Sequence, residues 1–276
     1  MKRNILAMTA GALAACCLGT AASAQDCKPA HAFETVEKGF LTVSTTTYAP
    51  FSYVDKDGSV GGVDGDIVEA IAKLECLKVK AVATDPSAAI QYILTGRSDL
   101  STGDWYRTAE RAKVVGLSGP LYTDQMGIYS KDGYKSVKEI EGKSVGTVQG
   151  YLWVADLQKV LGAKLKLYPN SSGLSKDLEA GRLEVGVDGY ASGAYARTEG
   201  GFKGLKIEVS APDERVRATV KAAQAGLPYT KGNAALGKAL DADIATLHKD
   251  GTIASILKKH KLDASAAEVG EPRLVE

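Results

Sequence analysis

Asp99–Arg111 reads DLSTGDWYRTAER. Its first four residues are a short β-favouring run, and Gly103–Arg111 is a loop of small, hydroxylated, aromatic and charged side chains. Working back from it, Ala88–Thr95 has helical character and stops at Gly96, where a residue free to turn left-handed relieves strain. Val79–Thr84 is a strand. Ile67, Ile71 and Leu74 recur at the spacing of one buried helical face over Asp66–Leu74. Phe40–Ser44 is the first strand, and Asp57-Gly58 and Gly61-Gly62 mark turns after it. Strand, helix, strand, helix, strand is the rhythm of a mostly parallel sheet in an α/β domain. Arg111 then falls one loop beyond a strand end, where open α/β sheets bind ligands.

The same alternation starts again after Pro120-Leu121-Tyr122. Strands are expected at Met126–Ser130, Ser144–Val148, Leu165–Tyr168 and Leu183–Val187, the last ending at Asp188. Between them lie a brief helix at Ser136–Ile140, a helix at Leu152–Leu161 and another at Ser175–Ala180. Lys206–Ser210 and Lys221–Gly226 read as closing strands. Asn233–Lys249 is the clearest helix, with Leu236, Leu240, Ile244 and Leu247 on one face, Lys249 near its end and Gly251 stopping it. Ile253–Lys259 is a shorter helix, and the tail after Asp263 reads as loose.

Composition bounds the function. At 276 residues, 45% hydrophobic and 24% charged, the chain has the make-up of a soluble globular protein of one large or two medium domains. A net charge of +1 supplies no basic surplus for nucleic acid or anionic lipid. Residues 1–24 have the layout of a signal peptide. Lys2 and Arg3 precede an apolar run from Ile5 to Leu18, and Ala22-Ser23-Ala24 offers a small-x-small cleavage site. Leu13-Ala14-Ala15-Cys16 also resembles a lipobox, so a lipid anchor on Cys16 is the alternative to a free periplasmic protein. Beyond that segment only Cys27 and Cys76 remain, and in an oxidising compartment they read as one structural disulfide.

The chemistry concentrates in few places. A guanidinium at Arg111 offers a fork of donors that matches a carboxylate. Tyr48 and Phe51, in Tyr48-Ala49-Pro50-Phe51, could supply an apolar wall, and Gly103 lets backbone approach a ligand. Each has a plainer reading, as a surface arginine or as core aromatics. There is no G-x-x-x-x-G-K-[ST], G-x-S-x-G or H-E-x-x-H pattern, so no cofactor, metal or catalytic residue is assigned. Gly61–Gly65 is glycine-rich without a lysine and reads as a turn.

Taken in order, these landmarks resemble the periplasmic substrate-binding proteins of polar amino-acid ABC transporters, the bacterial extracellular solute-binding protein family 3. The resemblance rests on Tyr48–Phe51, Gly62-Val63-Asp64, Gly96–Asp99, Arg111, Gly142–Gly146, Gln149-Gly150, Gly181-Arg182, Asp188 and Asp250-Gly251-Thr252, and covers residues 35–262. It implies a two-lobed periplasmic-binding-protein fold of type II, each lobe a mostly parallel sheet flanked by helices, with two crossover hinge segments. Lobe 1 would be 25–123 plus 211–276 and lobe 2 would be 124–210, with crossovers near Tyr122–Asp124 and Ser210–Pro212. It implies a monomer that closes on a small amino acid or related zwitterion and passes it to a membrane permease. Arg111 would grip the α-carboxylate, backbone N–H groups of Tyr151 and Leu152 would assist, Asp188 would accept from the α-ammonium, and Tyr48 would pack on the side chain. Gln149 belongs to the same constellation.

The departures from the family pattern matter as much. Asp104, Trp105 and Tyr106 stand where many members carry small or hydroxyl residues, and Tyr151 stands where many have threonine. A buried carboxylate needs a positive partner, so Asp104 faces a ligand cation, Arg107 or Arg111. An exported cyclohexadienyl-type dehydratase is the enzymatic alternative, although His31, His248 and His260 all lie away from the expected cleft. A ligand-sensing receptor for a membrane signalling partner is the other.

Overall fold

The computed structural model describes residues 27–275; the expected leader and Cys16 lie outside the described residues. In chain order the elements are β1 (Phe40–Thr46), β2 (Tyr53–Val54), β3 (Val60–Gly61), α1 (Gly62–Leu74), β4 (Lys78–Thr84), α2 (Pro86–Leu94), β5 (Leu100–Thr102), β6 (Trp105–Tyr106), α3 (Ala109–Val114), β7 (Gly116–Leu117) and β8 (Tyr122–Asp124). There follow β9 (Met126–Ser130), β10 (Val145–Val148), α4 (Val154–Leu161), β11 (Leu165–Tyr168), α5 (Ser171–Glu179), β12 (Val185–Gly189), α6 (Tyr190–Thr198) and β13 (Lys206–Val209). The chain closes with β14 (Ala223–Gly226), β15 (Pro228–Tyr229), α7 (Ala234–Lys249) and α8 (Thr252–Lys259).

Two five-stranded sheets form two lobes, ordered β4-β1-β5-β15-β7 and β11-β10-β12-β9-β13. In the first, β4, β1 and β5 are parallel, β15 runs against β5, and β7 runs against β15. The second repeats the plan: β11, β10 and β12 are parallel, β9 is reversed, and β13 is antiparallel to β9. Four of five strands in each sheet therefore point one way, and the reversed strand brings the chain back through the middle. A small third sheet, β6-β14-β8, is antiparallel throughout and joins the lobes.

The first lobe's core gathers Leu41, Val43, Ile67, Ile71 and Leu100 with Leu236, Leu240, Ile244 and Leu247 of α7. All four α7 residues foreseen on one face are thus buried, and Asn233 caps the helix by accepting from Leu236 N (3.0 Å). The second lobe's core is built on Met126, Ile128, Val145, Trp153, Leu157 and Val185. Val216, Ala218 and Ala223 join that same cluster, so the stretch beyond Ser210 still packs on the second lobe. Cys27 and Cys76 form a disulfide that closes a separation of 49 residues. Among the described residues no helix is long and apolar enough to cross a membrane.

Three local expectations change. Helix α1 begins at Gly62, so the glycine-rich stretch read as a turn is partly the first turn of that helix. Gly62 has φ +90°, and a Cβ there would lie 2.4 Å from Phe51 O, which restricts the position to glycine. The tail after Asp263 is tied down. Val275 N donates to Arg107 O and Ala109 N to Val275 O, both at 2.9 Å, while Gln224 Nε2 donates to Val269 O (2.8 Å) and Glu271 O (2.9 Å). Helix α6 was not foreseen, because only Gly193 of its nine residues is buried and no apolar stripe marks it.

Candidate functional site

The carboxyl ends of β1, β5, β10 and β11 converge on a narrow cavity of about 40 Å³ between the lobes, bordered by Thr46, Tyr48, Asp104, Trp105, Tyr106, Arg111, Tyr151, Trp153 and Ser171. That volume has room for a few water molecules, so a solute enters only when the lobes part. Its geometry on the first lobe starts with Asp64 in the first turn of α1. This carboxylate accepts from Gly103 N (2.8 Å), Asp104 N (2.9 Å) and Tyr122 Oη (2.6 Å), and so holds the loop after β5 in place. Gly103 at φ +145° and Asp104 at φ +53° take backbone angles that favour glycine and tolerate aspartate or asparagine.

Arg111 is half-buried within this wall. Its backbone N–H donates to the capping Thr108 hydroxyl (3.0 Å), its guanidinium donates to Tyr106 O, and it lies 4.8 Å from the centre of the Trp105 ring. Trp105 is itself fixed by donating from Nε1 to Ser101 Oγ (2.9 Å). Burial pushes the guanidinium down to about 10, opposed by the charge of Asp104, so it stays ionised at neutral pH. Arg107 points elsewhere, donating to Ser118 O (2.8 Å), Gln224 Oε1 (3.1 Å) and Arg273 O (2.8 Å). Of the two arginines that might have answered Asp104, only Arg111 borders the cavity.

Three carboxyl groups gather where the lobes meet. Asp124 accepts from Tyr106 Oη (3.0 Å) and Ala191 N (3.2 Å). Asp188 accepts from Tyr48 Oη and from its neighbour Gly189 N, at 2.9 and 2.8 Å. Asp104 is 8% exposed, and its Oδ1 has no hydrogen-bond partner. Burial raises Asp124 and Asp188 each to about 6, and it raises Asp104 well above the carboxylate range, helped by Asp124 and Asp64.

The lobes are closed on each other. Besides Tyr48–Asp188, Ser192 Oγ donates to Ala49 O (2.5 Å) and Asn170 Nδ2 to Asp85 Oδ1 (3.2 Å). Aromatic edges meet across the gap, Tyr48 with Tyr151 at 6.0 Å and Tyr106 with Trp153 at 5.9 Å between ring centres.

Of the residues singled out in the sequence, Tyr48, Gly103, Asp104, Trp105, Tyr106, Arg111, Tyr151 and Leu152 border the cavity. Phe51 does not. It is 1% exposed, stacked between Tyr48 and Tyr122, and acts as the backing of Tyr48. The Gln149 side chain is exposed and outside the lining. Asp188 lies behind Tyr48, beside a neighbouring hollow that Ser171 and Ser192 also border. Helix α4 starts only at Val154, and Tyr151 N donates to Val148 O (3.4 Å), so the expected Tyr151 N–H is already engaged. Sequence reading passed over Thr46, Thr47, Pro86, Asn170 and Ser171 in the lining, and Asp124 beside it. Asn170 and Ser171 follow a strand just as Gly150-Tyr151 does, so the strand-end rule applied to β11 would have found them.

Comparison with known proteins agrees with this architecture. The model of the bacterial extracellular solute-binding proteins, family 3, matches residues 41–263. The lysine/arginine/ornithine-binding periplasmic protein of Escherichia coli (strain K12) is 27% identical over 270 residues, 94% of this chain and 97% of that protein. Among solved structures, an ancestral arginine-binding protein bound to glutamine superposes with a TM-score of 0.70 at 30% identity, covering 81% of this chain and 98% of its own. The ancestral amino acid-binding protein AncCDT-1, a precursor of cyclohexadienyl dehydratase, gives 0.69 at 25% identity over 80% of this chain and 95% of its own.

Proposed function

We propose that this chain, which belongs to the bacterial extracellular solute-binding proteins, family 3, is a periplasmic receptor for an amino acid carrying an extra positive charge, which it delivers to an ABC-transporter permease. The observation that carries the reading is the Arg111 guanidinium laid on Trp105 in the interlobe cavity, whose lining also holds Asp104 with an unpartnered Oδ1. A ligand α-carboxylate is the anion that suits the fork of Arg111. The lining then points to the rest of the ligand. Asp104 borders the cavity with a buried Oδ1 that has no hydrogen-bond partner, while Asp124 and Asp188 stand outside the lining. A second positive group on the ligand gives that carboxyl a partner.

Hinge closure supplies both affinity and the signal for delivery. We place the hinge at the paired strands Tyr122–Asp124 and Ala223–Gly226, which run antiparallel between the lobes. Closing excludes water and strengthens every charge contact in the cavity. Monomeric action and export through a cleaved leader belong to the same proposal.

Calorimetry with arginine, lysine, ornithine, glutamine and glutamate tests the reading. Cationic amino acids bind at sub-millimolar concentration and glutamate does not; a panel with no binding at all, or with glutamate preferred, refutes it. An exported dehydratase draws support from the two carboxyls near 6, which suit a general acid. Steady turnover of a cyclohexadienyl acid would replace our reading with that one.

A further inference from the structure

His31, Glu75 and Asp243 come from three separate parts of the first lobe: the N-terminal segment, the end of α1 and the middle of α7. Their potential ligand atoms all lie within 4.8 Å of one another. His31 Nδ1 is 2.6 Å from Glu75 Oε1 and 3.6 Å from Asp243 Oδ1. The two acids are almost fully enclosed, with side chains 1% and 3% exposed, while the imidazole is 36% exposed at the surface. Asp243 Oδ2 is buried without any hydrogen-bond partner.

We propose that His31, Glu75 and Asp243 form a binding site for a divalent transition metal of the zinc class. An imidazole nitrogen and two carboxylate oxygens are a borderline donor set of the kind zinc accepts, with water in the fourth position. Tetrahedral bonds of about 2.0–2.1 Å hold donor atoms about 3.3 Å apart. The three groups reach that spacing by opening the His31–Glu75 contact slightly and drawing Asp243 inward. Two buried carboxyls otherwise have one imidazole as their positive neighbour. A dication supplies the positive charge that the two acids lack and gives the orphaned oxygen a partner.

The surrounding structure holds the groups ready. His31 N donates to Glu75 Oε2 (2.9 Å), Ala30 N donates to Leu74 O (3.2 Å), and the Cys27–Cys76 bridge ties the segment down one residue from Glu75. A surface hollow bordered by His31, Glu75, Phe33 and Lys38 offers a path in from solvent. None of the three residues borders the interlobe cavity, so the proposal stands or falls independently of the solute-receptor reading.

The test uses the full chain, stripped with a chelator and titrated with zinc chloride by calorimetry, with metal counted by mass spectrometry after desalting. One zinc per chain is expected. Asp243→Asn and His31→Gln should each weaken binding at least tenfold, and zinc should raise the melting temperature of the unaltered chain but not of the variants. Both substitutions are close in size to the original side chain, and circular dichroism verifies their fold. Absence of retained zinc in the unaltered chain overturns the proposal. So does unchanged zinc affinity in both variants, which would put the metal elsewhere.

Discussion

Replacing Arg111 with methionine is the sharpest test of the cleft. The guanidinium is half-buried against Trp105, and burial lowers it to about 10, which corresponds to about 3 kcal/mol against the charged form. A ligand carboxylate offsets that penalty. Removing one partner of a buried, hydrogen-bonded charge pair costs about 3–5 kcal/mol, much of it from stranding the other charge. At 1.4 kcal/mol per decade, Arg111→Met should weaken the preferred amino acid by at least about 100-fold. Arg111→Lys keeps the charge but loses the fork and the stacking, and should weaken binding about tenfold. Calorimetry on both variants is paired with thermal melting, which should show no loss of stability for methionine because it removes a half-buried charge. The amide of the same ligand, lacking the carboxylate, should bind unaltered chain and Arg111→Met about equally weakly. Binding of the free acid by Arg111→Met within threefold of the unaltered chain would refute the assignment.

Other predictions address closure, charge and stability. Asp188 is raised to about 6 by burial, so its protonated form favours the closed, ligand-free state. That contribution is complete below about 4 and is lost as pH rises through 6, so small-angle scattering should show a more compact ligand-free protein at pH 4.5 than at pH 7.5. A cationic ligand in the adjacent cavity favours the ionised carboxyl through its charge, so its affinity should climb between pH 4.5 and 7, measurable by calorimetry in buffers of different ionisation enthalpy. Tyr48→Phe removes the hydroxyl that bonds both Asp188 and Gly189 N across the gap; about 1–2 kcal/mol of closure should go, seen as a roughly five- to thirtyfold loss of affinity. Asp104→Asn keeps a residue that tolerates the φ of +53° and should reduce the preference for lysine over glutamine at least tenfold in competition assays. Cys27→Ala with Cys76→Ala frees a loop of 49 residues and should lower stability by up to about 4 kcal/mol in denaturant melts, with amino-acid affinity unchanged.

Strand and helix alternation was legible because hydrophobic periodicity is local. β9 and β11 fall on their expected limits, and α7 begins within one residue of its expected start. Arg111, Tyr48 and the residues after Gly103 were legible as site candidates because strand ends on parallel sheets converge on one edge. What stayed hidden depends on the partner surface. Phe51 looks like a wall beside Tyr48 and becomes a backing once Tyr122 stacks on its other side. Asp124 sits in an unremarkable Tyr-Thr-Asp, and only folding places it beside Asp104. The tail after Asp263 has no periodic pattern, yet Gln224 and Arg107 hold its backbone. His31, Glu75 and Asp243 are spread over more than two hundred positions, with none of the short spacing by which metal sites are recognised in sequence.

The chain contains two tryptophans, and both border the cavity: Trp105 from the first lobe and Trp153 from the second. Indole emission from this protein is therefore a signal from the two faces of one chamber, with no background from elsewhere. A solute entering between them, or a swing of either half, changes the environment of both emitters at once. The molecule carries its own optical gauge of occupancy, and titrations can be followed in the native chain without a label.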